Sequence, residues 1–406
     1  MSRPPILAER IAILAVLISL IALSIDAMLP ALPAIAADYT LPDPNTAQLI
    51  LTAFVAGLGL GQLVYGPVSD SFGRRGPILV GLLIYLVGTV ICSISDDFNV
   101  MLAGRALQGV GAAGPRVVSN ALVRDEYAGA QMARIMSFVM AVFIVVPAIA
   151  PFIGQVIQAL AGWRMIFTVF FVMGLVALAW FSLRYPETHP PSARRPLSVR
   201  GVSRDMALCL TNRTTLAFTI AQGLIFGGFF GYLTSAQQIF SDVYGRGAAF
   251  PGYFAVLALI VGGASFINGA LVRRVGLIKV CAIAIAVFVL TASVGVALTY
   301  AAGPGRSVSF ELFFALMIVI VGSFGFLFGN FNAAAMEPMG RLAGSAAAVI
   351  AFVSTLVSIV WGTITGQAFD GTVMPLFVGF LFSAMLAAVF MALAQLKTNA
   401  PEVSTQ

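Results

Sequence analysis

Twelve times along this chain a long apolar run ends in a short cluster of charged, Pro, Gly, Asn or Asp residues. A helix crossing the hydrocarbon layer needs about 20 such residues, and backbone polar groups at that depth must be satisfied within the segment. The runs fall near 10–33, 47–69, 77–95, 100–123, 132–159, 164–184, 213–239, 248–271, 277–300, 309–334, 342–367 and 374–396. With 60% of 406 residues hydrophobic and 9% charged, no soluble fold class fits. The expected fold is all-α, with twelve transmembrane helices.

Lys and Arg give the orientation. Seventeen, from Arg3 to Lys397, fall in segments on the side of the N-terminus, three fall on the other side, and Arg105 and Arg116 lie inside a run. Such a bias predicts both termini in the cytoplasm. The net charge of +6 is then an orientation signal and gives no reason to invoke nucleic acid. The first run is too long for a cleavable signal and lacks a small-residue cleavage site. Cys92, Cys209 and Cys281 follow no metal or disulfide spacing, and His189 stands alone in a polar loop. No Ser/His/Asp set, phosphate-binding glycine loop or carboxylate pair appears, so the chain reads as no enzyme, with no metal and no cofactor.

The turn between the second and third runs reads GPVSDSFGRRGP, Gly66 to Pro77. By itself it could be no more than a positive stop at the cytoplasmic edge. Its spacing, G-x-x-x-D-x-x-G-R-R, resembles the signature loop of the major facilitator superfamily of secondary transporters. Gly66, Asp70, Gly73, Arg74 and Arg75 carry the match, and Ser71 departs from the usual basic residue. The resemblance implies a cytoplasmic gate in which Asp70 and Arg74 pair, and Asp125 at the end of the fourth run would join them.

Asp26 lies well inside the first run, where a carboxylate is costly and reads as functional. A packing aspartate satisfied by a neighbour is the alternative. An acid in an apolar interior suits a proton carrier. Pro30 and Pro33 should break the helix just beyond it. D-x-x-L-P-A-L-P at Asp26 to Pro33 resembles the twelve-helix drug:proton antiporters, in particular the Bcr/CflA (bicyclomycin and chloramphenicol resistance) subfamily. The resemblance implies that Asp26 is protonated and takes part in recognising cationic substrates. Arg105 in R-x-x-Q-G, with Gln108 and Gly109, resembles the family's fourth-helix motif, which implies a part in proton coupling. Arg116, eleven residues on, is placed to snorkel or to line an inner vestibule. Pro147, Pro151 and Gly154 resemble a degenerate form of the antiporter motif, associated with exporters.

Residues 185–212 form a Pro-, Ser- and Arg-rich linker that splits the runs six and six. A second basic turn, GALVRRVG at Gly269 to Gly276, stands in the position equivalent to the signature loop, with Arg273 where the first has Asp70. This predicts an internal duplication. The expected organisation is a six-helix bundle over 1–184, the linker, and a pseudo-symmetric bundle over 213–406. Phe226, Phe230, Tyr232, Gln237, Asn330 and Asn332 could line a cavity together with Asp26 and Arg116, although lipid-facing or packing roles suit most such aromatics. The resemblance implies proton-coupled efflux of small amphipathic drugs across a bacterial inner membrane, by a monomeric carrier whose partners are its drug and the surrounding lipid. A metabolite exporter is the nearer alternative and a non-transporting sensor the more distant one.

Overall fold

The computed structural model describes residues 7–127, 129–194 and 196–396. Arg3, Arg195 and Lys397 of the charge count, and the outermost residues of both expected bundles, lie outside the described residues. Fourteen α-helices follow one another: α1 (Leu7–Asp26), α2 (Leu32–Asp38), α3 (Leu49–Phe72), α4 (Arg75–Ile94), α5 (Phe98–Glu126), α6 (Gly129–Ala161), α7 (Arg164–Arg184), α8 (Val199–Thr211), α9 (Arg213–Gln238), α10 (Phe250–Val275), α11 (Leu277–Ala302), α12 (Phe310–Met336), α13 (Ala343–Gln367) and α14 (Met374–Gln395).

Ten stretches are long and apolar enough to cross a membrane, the first of them running through α1 and α2 as Leu7–Asp38. Helix α5, which carries Arg105 and Arg116, and α6, whose apolar part is Val145–Ala161, bring the long segments among the described residues to twelve. Large apolar side chains are strongly exposed on the outer faces: Phe266 is 88% exposed and Leu160 82%. A water-facing surface does not carry so many, so this surface faces lipid. The chain is a multi-pass membrane protein.

Local chemistry sets the ends. Asp97, Ser198, Asn212 and Ser309 accept hydrogen bonds from backbone N–H groups in the first turns of α5, α8, α9 and α12. Helices α3 and α10 both stop at a glycine of positive φ, Gly73 at 95° and Gly276 at 91°. Gly73 precedes the pair Arg74–Arg75 whereas Gly276 follows Arg273–Arg274, so the two turns share the positive-φ glycine but not the place of the basic pair.

The first six long segments pack among themselves through α3–α5, α4–α5, α4–α7 and α1–α6, and the last six through α9–α13, α9–α14, α10–α12 and α11–α12. Small residues set these distances. Gly223, Gly227 and Gly231 recur every four residues on α9, and a Cβ on any of them would stand within 3.0 Å of Val357, Trp361 or Thr365 of α13. The halves meet along α3–α13 and α6–α10. The α3–α13 seam is antiparallel over its whole length: Thr52 Oγ1 is 3.0 Å from Thr363 Oγ1, while Gly59 faces Thr355 and Gly66 faces Ala348.

The linker is not all irregular. Its second part forms α8, which packs on α13, where Asp205 accepts a 2.7 Å hydrogen bond from Ser345, while Cys209 is buried against Met339. Val202, Met206 and Cys209, four and three residues apart, were the signal that could have found this helix.

Candidate functional site

Helix α1 ends at Asp26, and a short 3-10 turn over Leu29–Ala31 leads into α2. Pro30 has no N–H for the Asp26 carbonyl, and Met28 N–H turns to the Ile25 carbonyl at 3.2 Å, leaving the Ser24 carbonyl without its helical donor. The break is the one expected from Pro30 and Pro33. It sits against α6, where Gly154 meets Ala27 so closely that a Cβ would fall on the Ala27 carbonyl oxygen. Pro151 is buried and Pro147 half-buried, and both ride within a single continuous α6. Asp26 is 5% exposed, and no hydrogen bond or ion pair reaches its carboxylate among the described residues. Tyr232 of α9 is near enough to feel its charge.

Arg105 is fully buried and does not pair with Asp26. Its Nη2 donates to the Ser24 carbonyl at 2.9 Å, its Nε to the Ile50 carbonyl at 3.2 Å and its Nη1 to Gln108 Oε1 at 2.6 Å. The guanidinium also stacks over Phe54, 4.6 Å from the ring centroid. A cation thus closes the broken end of α1, where the helix dipole is negative.

The expected cavity residues scatter. Phe226 is 41% exposed and joins Phe229, Phe324 and Phe328 in an aromatic cluster between α9 and α12. Phe230 packs against Gly362 of α13, a corrected placement, since the two helices approach at glycine positions. Asn330 is engaged in a reciprocal amide pair with Asn268 of α10, 3.0 Å each way, and Asn332 is exposed, so neither adjoins Asp26 as a free cavity group. Arg116 is half-buried. Gln62 Oε1 on α3, the Tyr232 hydroxyl and Gln237 Oε1 on α9, and Ser358 Oγ on α13 are buried without a partner among the described residues.

In the signature loop Arg74 is 3% exposed. It donates to Asp70 at 2.5 Å, to Asp125 at 2.7 Å and to Ser69 at 2.9 Å. Burial works against its charge, but the two carboxylates outweigh burial and raise its pKa. Arg75 turns away and donates to the Ser182 carbonyl at 2.6 Å. Sequence reasoning missed Glu187, whose carboxylate accepts from the backbone N–H groups of Arg74, Arg75 and His189 at 2.8, 3.0 and 2.9 Å. The linker therefore caps the start of α4. All these residues belong to the first half and the linker, so the cluster itself does not bridge the halves.

At the opposite end of the seam, the halves are joined by amides. Gln48 donates to Gln238 at 2.6 Å, Gln238 to Asn45 Oδ1 at 2.7 Å, Gln367 to the Asn45 carbonyl at 2.6 Å, and Asn45 to the Phe369 carbonyl at 2.8 Å.

The pattern described as Major Facilitator Superfamily matches residues 14–363. The chain belongs to the major facilitator superfamily. It is therefore a transporter and not an enzyme. Relatives include an uncharacterized MFS-type transporter, YdgK, of Bacillus subtilis strain 168, 31% identical over 88% of this chain and 89% of that one. A bicyclomycin resistance protein homolog of Haemophilus influenzae is 30% identical over 87% of each chain. The multidrug resistance protein MdtL of Shigella dysenteriae is 25% identical over 83% of each. Two solved structures share the superfamily fold. The human organic anion transporter MFSD10 has a TM-score of 0.67 at 17% identity, covering 96% of this chain and 100% of its own. A bacterial homolog of the lysosomal transporter Spinster has a TM-score of 0.68 at 14% identity, covering 97% of each.

Proposed function

We propose that this transporter is a proton-coupled drug exporter of a bacterial inner membrane, with both termini in the cytoplasm. The observation that carries the reading is Asp26: a buried carboxylate at a helix break, next to the seam, with no hydrogen bond or ion pair among the described residues. A side chain so expensive at that depth is retained for what it binds, and a proton and a basic drug compete naturally for one carboxylate. The relatives named for bicyclomycin and multidrug resistance support this direction, as does the excess of Lys and Arg on the linker side.

In this scheme the chain works as a monomer of two six-helix bundles that rock about the seam. Drug enters from the cytoplasm and contacts Asp26 and the aromatic cluster around Phe226. A proton arriving from outside displaces it, and loss of that proton to the cytoplasm resets the carrier. The Asp70–Arg74–Asp125 cluster makes one end rigid, and the amides at the far end close the outer mouth.

The test is substrate-induced proton movement in reconstituted vesicles with an imposed proton gradient, using chloramphenicol, bicyclomycin and lipophilic cations. Proton movement in the wild type that vanishes in folded Asp26→Asn is expected. Coupling retained in Asp26→Asn would sink the proposal. Silence of the folded wild type with every compound would favour export of a metabolite.

A further inference from the structure

The break beside Asp26 is held by more than Arg105. Ser24 Oγ lies 2.6 Å from the Leu20 carbonyl and 2.8 Å from the Tyr85 hydroxyl. A serine has one proton, and the carbonyl can only accept, so Ser24 donates to Leu20 and Tyr85 must donate to Ser24. Gln108 offers Oε1 to Arg105, and its Nε2 donates to Thr89 Oγ1 at 2.7 Å. Thr89 in turn donates to the Tyr85 carbonyl at 2.7 Å. Each hydroxyl proton in this buried chain has an acceptor, and none of its members is a carboxylic acid. Such a network holds geometry.

We infer that Arg105 and Tyr85 are positioning residues, clamping both the carbonyl and the hydroxyl of Ser24 so that the end of α1 presents Asp26 at one fixed place. Arg105 acts through the shape of its guanidinium fork rather than by charge alone. The groups concerned sit on four helices: Ser24 on α1, the Ile50 carbonyl on α3, Tyr85 and Thr89 on α4, Arg105 and Gln108 on α5. The titratable neighbours of Arg105 are Tyr85 and Cys92 of α4; that of Asp26 is Tyr232 of α9. An ammonium cannot span three acceptors in these directions.

This inference rests on the reading of Asp26 as the proton-binding group, and the experiment separates the two. Infrared titration of the protein in lipid vesicles follows carboxyl bands against pH, and Asp26→Asn identifies the band of Asp26. No substrate is needed. Tyr85→Phe, Ser24→Ala and Arg105→Lys are expected to displace the midpoint of that band in one common sense, by about half a pH unit or more, the scale of one lost buried hydrogen bond. Tyr85→Phe with Ser24→Ala should displace it no further than either alone, since both remove the same bond. Asn268→Ala, which removes a part-buried amide pair between α10 and α12, should leave it in place. If no band depends on Asp26, the proton-carrier reading fails. If the band titrates and Tyr85→Phe and Ser24→Ala, both mild enough to fold, leave its midpoint unmoved, the clamp is refuted. Full retention of the wild-type midpoint in folded Arg105→Lys would leave charge as the role of Arg105 and overturn its part in the inference.

Discussion

Gln48 donates from Nε2 to Gln238 Oε1 across 2.6 Å, and that bond ties the turn that leads into α3 of the first half to the end of α9 of the second. Neither residue carries charge, and both are buried. The opposite end of the first half is secured instead by Arg74 and two carboxylates. Neutral amides lose little to salt screening, whereas the charged end is sensitive to it in proportion to its exposure.

Replacing Gln238 by Ala removes one bond to Gln48 and one to Asn45 and leaves buried amide groups unpaired, at about 1–3 kcal/mol for each group stranded. The population open at that end should rise. A single cysteine placed at Ala47, fully buried in this structure, should react faster with a thiol reagent in the variant. An unchanged rate in folded protein would remove the amides from the closure.

Asp125 and Asp70 both accept from Arg74, but their side chains are 18% and 48% exposed. Losing a charged hydrogen bond at the more buried site should cost about 1.5–3 kcal/mol, against at most about 1 kcal/mol at the exposed one. Asp125→Asn should therefore lower the thermal midpoint in detergent more than Asp70→Asn. The reverse order would mean that the two bonds do not share the latch in this way.

Glu187 gives a pH dependence. Partial burial works against its charge, but the backbone N–H groups of Arg74, His189 and Arg75, with Arg194 nearby, outweigh burial and hold its pKa below the ordinary 4.5. A lowered folded pKa contributes stability that is present above the unfolded value and is lost as pH falls through the folded one. The linker's hold on α4 should thus be intact at neutral pH and weaken only below 4.5. Hydrogen exchange at Arg74 and Arg75 should accelerate in that acid range, and Glu187→Gln should accelerate it at neutral pH. Protection independent of both would remove Glu187 as the cap.

Gly154 touches the break of α1 at the Ala27 carbonyl. A side chain there must push α6 away, an overpacking cost of about 1–3 kcal/mol. Gly154→Val should lower thermal stability and transport together, while Gly154→Ala should do so less. Wild-type stability in Gly154→Val would show that α6 approaches less closely than the backbone indicates.

Much of this was legible in the residues. The twelve runs, the break at Pro30 and the isolated acid at Asp26 all depend on neighbours a few positions away, and local chemistry is what a sequence displays; the Asp70–Arg74 pair was implied by the resemblance of its loop. The partners of Arg105 were not legible: R-x-x-Q-G announces a buried cation, but nothing in it shows that its acceptors are carbonyls of α1 and α3. Asn330 read as a cavity residue because its partner, Asn268, lies 62 positions away. Glu187 sat in a polar linker among residues with no evident target.

The number and length of the spans follow from the sequence by itself, because a lipid interior forces each segment to satisfy its own backbone. The lack of a partner for Asp26 among the described residues, the bonds to Ser24 and the amide contacts between the halves were decided by tertiary structure alone. Each depends on which helix faces which across the seam, as with Asn45 and Gln367, 322 positions apart, and no periodicity within one helix records that choice.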